Sequence, residues 1–318
     1  MAHLGLVNGT FVMTLEGEVA VEKLRVGTRA LTLASTERPI QPLAAIAVGP
    51  VPPAATPILV RAGAIADFMP VRDLVLAPDQ PIVMREDADD AVKLDFSMRR
   101  LIPVRDLANG ATVTRIAAGR GARYHRPVVA APDLLMADGL CVATAAAAAS
   151  SVLPLLEWAA AQPYRERLLA RARATGWVET DDPALAVEVE GVRLVPMRLV
   201  PESGSGSDAG SALAVTLPPG VGRVVIASRV SVPEEFEPGC GDTRRLGVAL
   251  AELVLDGEAI PLDAPLFGGG LLPPERDGVN EWRWTNGAAV LNLPPAARAR
   301  VLTLRIHPGW RRYRAKAS

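Results

Sequence analysis

The chain is poor in the residues that most chemistry requires. Only three histidines, His3, His125 and His307, occur in 318 residues, and no ligand spacing relates them. The two cysteines, Cys141 and Cys240, stand far apart, so they imply neither a metal framework nor a disulfide, and both read as structural thiols. No structural zinc and no cofactor are expected. Aromatic residues make up 4% of the chain against 49% hydrophobic residues, so its cores must be built mostly from Val, Leu and Ala. A formal net charge of −1 argues against charge-driven binding to nucleic acid or to a membrane surface. No uninterrupted apolar run approaches about 18 residues, so membrane insertion is not expected. The N-terminus has no basic run and no apolar core before a small-residue cleavage site. A cytoplasmic location is therefore the default expectation, with export lacking a signal left open. No phosphate-cradling glycine loop is found: Gly268–Gly270 runs into Leu271–Leu272 and Pro273–Pro274 and reads as a loop.

What the chain has instead is turn residues, 28 Pro and 27 Gly, which suit a loop-rich β protein. Its opening stretch is the most regular. Phe11–Leu15 and Glu18–Val21 flank a turn at Glu16–Gly17, and Thr28–Leu33 alternates after the Val26–Gly27 turn. That period of two predicts consecutive half-buried strands. Ser35–Pro57, with Pro39, Pro42, Pro50, Pro52, Pro53 and Pro57, reads as edge strands or surface loops, because proline cannot donate to a ladder. Ile58–Gly63 and Val71–Ala77 read as strands. The carboxylates Glu86, Asp87, Asp89, Asp90 and Asp95 lack the ordered spacing of a calcium loop and read as a solvated loop.

Gly9, Thr10, Thr14, Gly17, Val21, Glu22, Leu24, Gly27 and Thr32 keep a recognisable pattern. It is Cys-Phe-x-x-Gly-Thr-x-Ile-x-Thr-x-x-Gly, then Val-Glu-x-Leu-x-x-Gly-Asp-x-Val-x-Thr, and it resembles the opening of the Hedgehog/intein (Hint) family. The likeness continues through Pro70–Gln80, Leu101–Thr114 with its Asn109–Gly110 turn, and Tyr124–Gly139. Membership implies a β module that cleaves the peptide bond before its nucleophile. Such cleavage needs an attacking thiol or hydroxyl and a histidine to protonate the leaving nitrogen.

At the matching positions this chain departs from the family. Gly5 stands for the nucleophilic Cys, Gln80 for the histidine, Ala77 for a hydroxyl residue, and Pro132 for a second histidine. An amide has no usable proton near neutral pH. With four residues before Gly5, no cargo is expected on that side. Thr10 is the nearest hydroxyl but also the family's structural Thr. Cys141 is discounted as a replacement thiol, since its neighbours Leu140 and Val142 would raise its pKa. His125 is the one residual acid–base side chain, against its reading as a packed histidine. The expectation is a degenerate module without catalysis.

From Ala143 the grammar changes. Ala145–Ala149 and Ser150–Ala161 read as helical or linking, broken at Pro154, and a second helix is expected from Pro163 to just before Gly176. Tyr164, Leu168, Leu169 and Ala172 form its apolar face. Arg165, Arg167, Arg171 and Arg173 read as solvated surface, with an anion-binding face as the alternative. After Trp177 short strands return, interrupted by the low-complexity stretch Glu202–Ser211. Leu246–Leu255 turns at Asp256–Gly257, and Glu281–Thr285 alternates Trp282 and Trp284 before a turn at Asn286–Gly287. The expected fold is mainly β: residues 1–144 as a Hint-like domain, 145–177 as a helical connector, and 178–318 as a β-sandwich. Asp242–Val248 and the Trp-Arg-Trp-Thr run at 282–285 resemble a region that follows the Hint module in a group of bacterial proteins. A comparable sandwich resembles an accessory domain of some bacterial glycosyltransferase-like proteins.

The leading expectation is a non-catalytic binding or assembly protein with a protein partner. The second is carbohydrate binding by the sandwich through Trp282, Trp284, Arg244 and Arg245, since aromatic faces stack on sugars and guanidinium forks bind their oxygens. Residual autoprocessing is the third.

Overall fold

The structure is a computed structural model that describes residues 3–34, 39–52, 55–86, 98–144, 152–198, 212–278, 280–309 and 312–317. Asp87, Asp89, Asp90 and Asp95, the Ala145–Ala149 run and Glu202–Ser211 lie outside the described residues. The fold is mainly β, with one long helix between two β-rich regions. It divides into two units, Met1–Trp177 with Lys316–Ser318, and Val178–Ala315.

In the first unit the opening hairpin pairs Phe11–Thr14 with Gly17–Ala20. A local device closes it. The Thr14 hydroxyl donates to Gly17 O at 2.8 Å and accepts from the Glu16 N–H at 3.1 Å, a side chain standing in for a backbone turn. Alternation then buries Val12 and Thr14 and leaves Phe11 and Met13 half-buried. The Pro-rich stretch is not an edge. Ile40–Pro50 is an 11-residue strand lying between Arg29–Leu31 and Arg123–Val129. Proline is tolerated there because Pro42 falls near its start and Pro50 at its end, where a missing N–H interrupts the ladder least.

Among the described residues the strands of this unit join into one 13-stranded ladder. Its core contains Leu6, Val12, Leu43, Ile58, Leu74, Leu76, Ile82 and Ile102, each at most 2% exposed. Three helical residues, Ala161, Tyr164 and Leu168, belong to the same core. Their helix, Trp158–Ala174, is therefore part of the first unit rather than a free-standing connector. It also starts five residues earlier than its proline suggests, with Pro163 inside the second turn. Arg165 is not solvated: it is 3% exposed and its Nε donates to Ala108 O at 2.8 Å.

The second unit holds a ten-stranded ladder among its described residues. The strand Arg300–Ile306 shows the rule of its construction, with Leu302, Leu304 and Ile306 turned inward and Val301 and Arg305 outward. Val187, Val224, Ile226, Leu250, Leu253, Ala289 and Leu291 complete that core. Two glycine signals here are not turns. Gly268–Gly270 lies within the strand Phe267–Asp277, which pairs with Asn280–Asn292. A Cβ on Gly270 would sit 2.2 Å from Ala288 O, so glycine permits two backbones to approach. Asn286–Gly287 does not reverse the chain either. There the strand Asn280–Asn292 exchanges its partner Ala249–Leu255 for Arg223–Ala227.

Candidate functional site

The segment His3–Gly5 lies against Ala77–Gln80, and four hydrogen bonds fasten it. The Ala77 N–H donates to Gly5 O (2.9 Å) and the Asp79 N–H to His3 O (3.0 Å). In return the His3 N–H donates to Asp79 Oδ2 (2.5 Å) and the Gly5 N–H to Gln80 Oε1 (3.1 Å). Arg105 pairs with the Asp79 carboxylate. These contacts bring two sequence-predicted positions, Gly5 and Gln80, together at one buried corner.

Gln80 is 4% exposed and uses both ends of its amide. Its Nε2 donates to Ala143 O at 2.8 Å and to Pro81 O at 3.3 Å while its carbonyl holds Gly5. The group spans two chain segments and has no proton to give. Beside it, bounded by Leu4, Leu6, Arg126, Leu135 and Ala143, is a cavity of about 10 Å³, the space of a single water.

Gly5 has a φ of 139°, outside the range that other residues readily adopt. A Cβ added there would lie 2.9 Å from Tyr124 Cβ and 3.1 Å from His125 O. The volume that a nucleophilic side chain needs is occupied by a strand. Ala77 is fully buried and packs with Ala55 and Tyr124. Tyr124 donates its hydroxyl to Ala55 O at 3.2 Å, and burial pushes its phenol up to about 12.

His125 lies on Arg123–Val129, paired with Leu6 on one side and Val48 on the other. It is 5% exposed, and its Nε2 has no hydrogen-bond partner among the described residues. Burial lowers its pKa and Arg123 adds to that, while Glu22 opposes it. A neutral imidazole results. Pro132 is exposed and brings no side chain to the corner.

Sequence reasoning missed the weight of its neighbour Asp133. This carboxylate is fully buried and collects four donors: the N–H groups of Leu33 (3.0 Å), Ala34 (2.7 Å) and Leu134 (2.7 Å), and Gln41 Nε2 (2.7 Å). Its backbone carbonyl accepts from Thr144, the residue after Gln80's partner Ala143. Asp133 is thus a structural hub. The signal available in sequence was its place in the stretch Tyr124–Gly139.

Cys141 is half-buried, and burial pushes its thiol up with Arg99 partly opposing. Among the described residues, no group of three or more His, Cys, Asp or Glu is gathered as a metal would require. No described helix is long and apolar enough to cross a membrane.

In the second unit Arg244 and Trp284 meet on the Glu275 carboxylate, and Trp282 packs against the same small core cluster as Trp284. Trp284 is 6% exposed and its Nε1 donates to Glu275 Oε2 at 3.2 Å. Trp282 is half-buried, with one face stacked on His307 at 4.1 Å between ring centroids. The two rings therefore present no shared open platform. Arg244 is exposed but bridges Asp242 (2.8 Å) and Glu275 (2.5 Å), and these carboxylates raise its pKa in that order. Arg245 is half-buried; desolvation lowers its pKa while the Glu235 charge opposes the shift.

Comparison with curated proteins and with solved structures gives no match. The family model described as Hint domain matches residues 4–148, a span that holds Gly5, Gln80, His125 and Asp133. The chain is a Hint domain-containing protein.

Proposed function

We propose that this Hint domain no longer processes itself and that the chain works as a non-catalytic binding or assembly protein. The observation that carries the reading is the corner at Gly5. Self-processing requires a side chain to attack the preceding carbonyl, and the place for its Cβ is already filled by Tyr124 and the His125 carbonyl. Gln80 supports it from the other side, since its amide fastens strands and cannot protonate a leaving nitrogen. His125 meets Gly5 with a carbonyl oxygen, so its neutral ring supplies no substitute there.

A reporter protein fused ahead of residue 1 tests this. Incubation with dithiothreitol or hydroxylamine leaves the fusion intact by mass spectrometry; release of the reporter by cleavage before Gly5 would overturn the reading. The binding half has two arms, a protein partner or a glycan. Reproducible capture of one glycan class, lost in Trp282→Ala and Arg245→Ala, would move recognition to the second unit. A blank glycan array keeps a protein partner as the reading.

A further inference from the structure

The first unit contains a second hollow, unrelated to the Gly5 corner. It lies between the helix Trp158–Ala174 and the strands Pro81–Arg85, Arg99–Pro103 and Leu140–Ala143, with a volume of about 470 Å³. That volume is in the range of sites that take a whole small molecule. Ile65, Met69, Val83, Met84 and Leu168 give it an apolar bed. Two of these are methionines, whose unbranched side chains reshape around different ligands. Four arginines, Arg85, Arg99, Arg167 and Arg171, complete the lining, and no Asp or Glu lines it among the described residues.

The charges are not equivalent. Arg171 reaches Asp67 at 2.5 Å and Gly63 O at 2.9 Å, so its cation is largely met. Arg167 is held differently. Its guanidinium donates to the carbonyls of Glu86 (2.8 Å) and Arg85 (2.5 Å) and lies 5.0 Å from the Tyr164 ring. Those bonds fix its position without neutralising it. Among the described residues no carboxylate comes within ion-pair distance of Arg167. A positioned cation beside an apolar bed is complementary to a ligand of opposite charge and matching apolar body.

We infer that this hollow is a binding site for an amphipathic anion, an acyl or alkyl tail bearing a carboxylate or phosphate. The tail lies over Met69, Met84 and Leu168, and the head group meets Arg167. The inference goes beyond the scaffold reading and stands whichever macromolecular partner the chain has.

Cys141 lines the same hollow and provides the readout. In a Cys240→Ser background, which removes the exposed thiol, the modification rate of Cys141 by a maleimide is measured with decanoate, dodecyl phosphate and decanol. Saturable protection by either anion is expected, with decanol weaker by about tenfold or more. Arg167→Gln weakens the anions by about tenfold and leaves decanol unchanged. Ala170→Trp, a substitution at an exposed helical position on the lining, abolishes protection while preserving the melting profile. Equal protection by decanol would overturn the assignment of an anion. Protection that survives Ala170→Trp would overturn the location. No saturable effect from either anion would overturn the site itself, and would mean that the arginine charge is met from within the chain.

Discussion

The two hollows of the first unit are built on opposite terms. The Gly5 corner has converging polar groups and room for a single water; the helix-side hollow has more than forty times that volume and, among the described residues, no carboxylate or imidazole in its lining. In the corner every amide atom of Gln80 is committed to the backbone, so polarity there serves cohesion. In the hollow the Arg167 charge lies beside an apolar bed, held by backbone carbonyls, so on the inference above its polarity is available to a visitor.

The contrast predicts that substitutions at the corner act on stability first. Asp133 should show the largest effect. Asp133→Ala removes one acceptor from four donors, three of them backbone N–H groups, and leaves them buried. A loss of about 3–5 kcal/mol is expected from urea unfolding of the first unit. A cost under about 1 kcal/mol would mean that water replaces the four lost bonds and that Asp133 is not a hub. Gly5→Ala comes next, at about 2–4 kcal/mol, because a Cβ meets Tyr124 in a backbone conformation that alanine resists. Gly5→Cys should cost as much and leave the chain uncut in thiol. A stable, cleaving Gly5→Cys would erase the distinction between the two hollows.

Features closed by neighbouring residues were legible in the sequence. The first hairpin depends on Thr14 and Gly17, three residues apart, and the Asp256–Gly257 turn on a single dipeptide. The corner was legible too, because Gly5 and Gln80 occupy positions of a known pattern. Glycine and proline misled where their tertiary surroundings decide. Gly270 reads as a loop until Ala288 is placed against it, and Pro42 reads as an edge until Ile40–Pro50 is seen between two strands. The arginine-lined hollow was the least legible feature. Its walls come from residues 65–69, 83–85, 99, 141 and 167–174, and no local pattern links them. Only the arginines of one helix face hinted at it, and of these Arg165 proved to be buried structure while Arg167 and Arg171 line the hollow.

The smallest expected effect concerns His125, whose carbonyl lies against Gly5 at the corner. Burial lowers its folded pKa, with Arg123 assisting and Glu22 opposing. The unfolded chain then binds a proton more readily than the fold does, so stability falls as pH drops below the ordinary value of 6.5 and levels off under the folded value. Above that window both states are neutral and His125 contributes nothing to the slope. Its Nε2 has no partner among the described residues, so an apolar replacement breaks no bond there. His125→Leu should therefore be nearly neutral at about pH 8 and flatten the acid limb of stability against pH, read as the difference from the parent chain between about pH 5 and 8. An unchanged acid limb would show that the ring titrates as in water. The corner would then be open to solvent, and its difference from the arginine-lined hollow would be one of size alone.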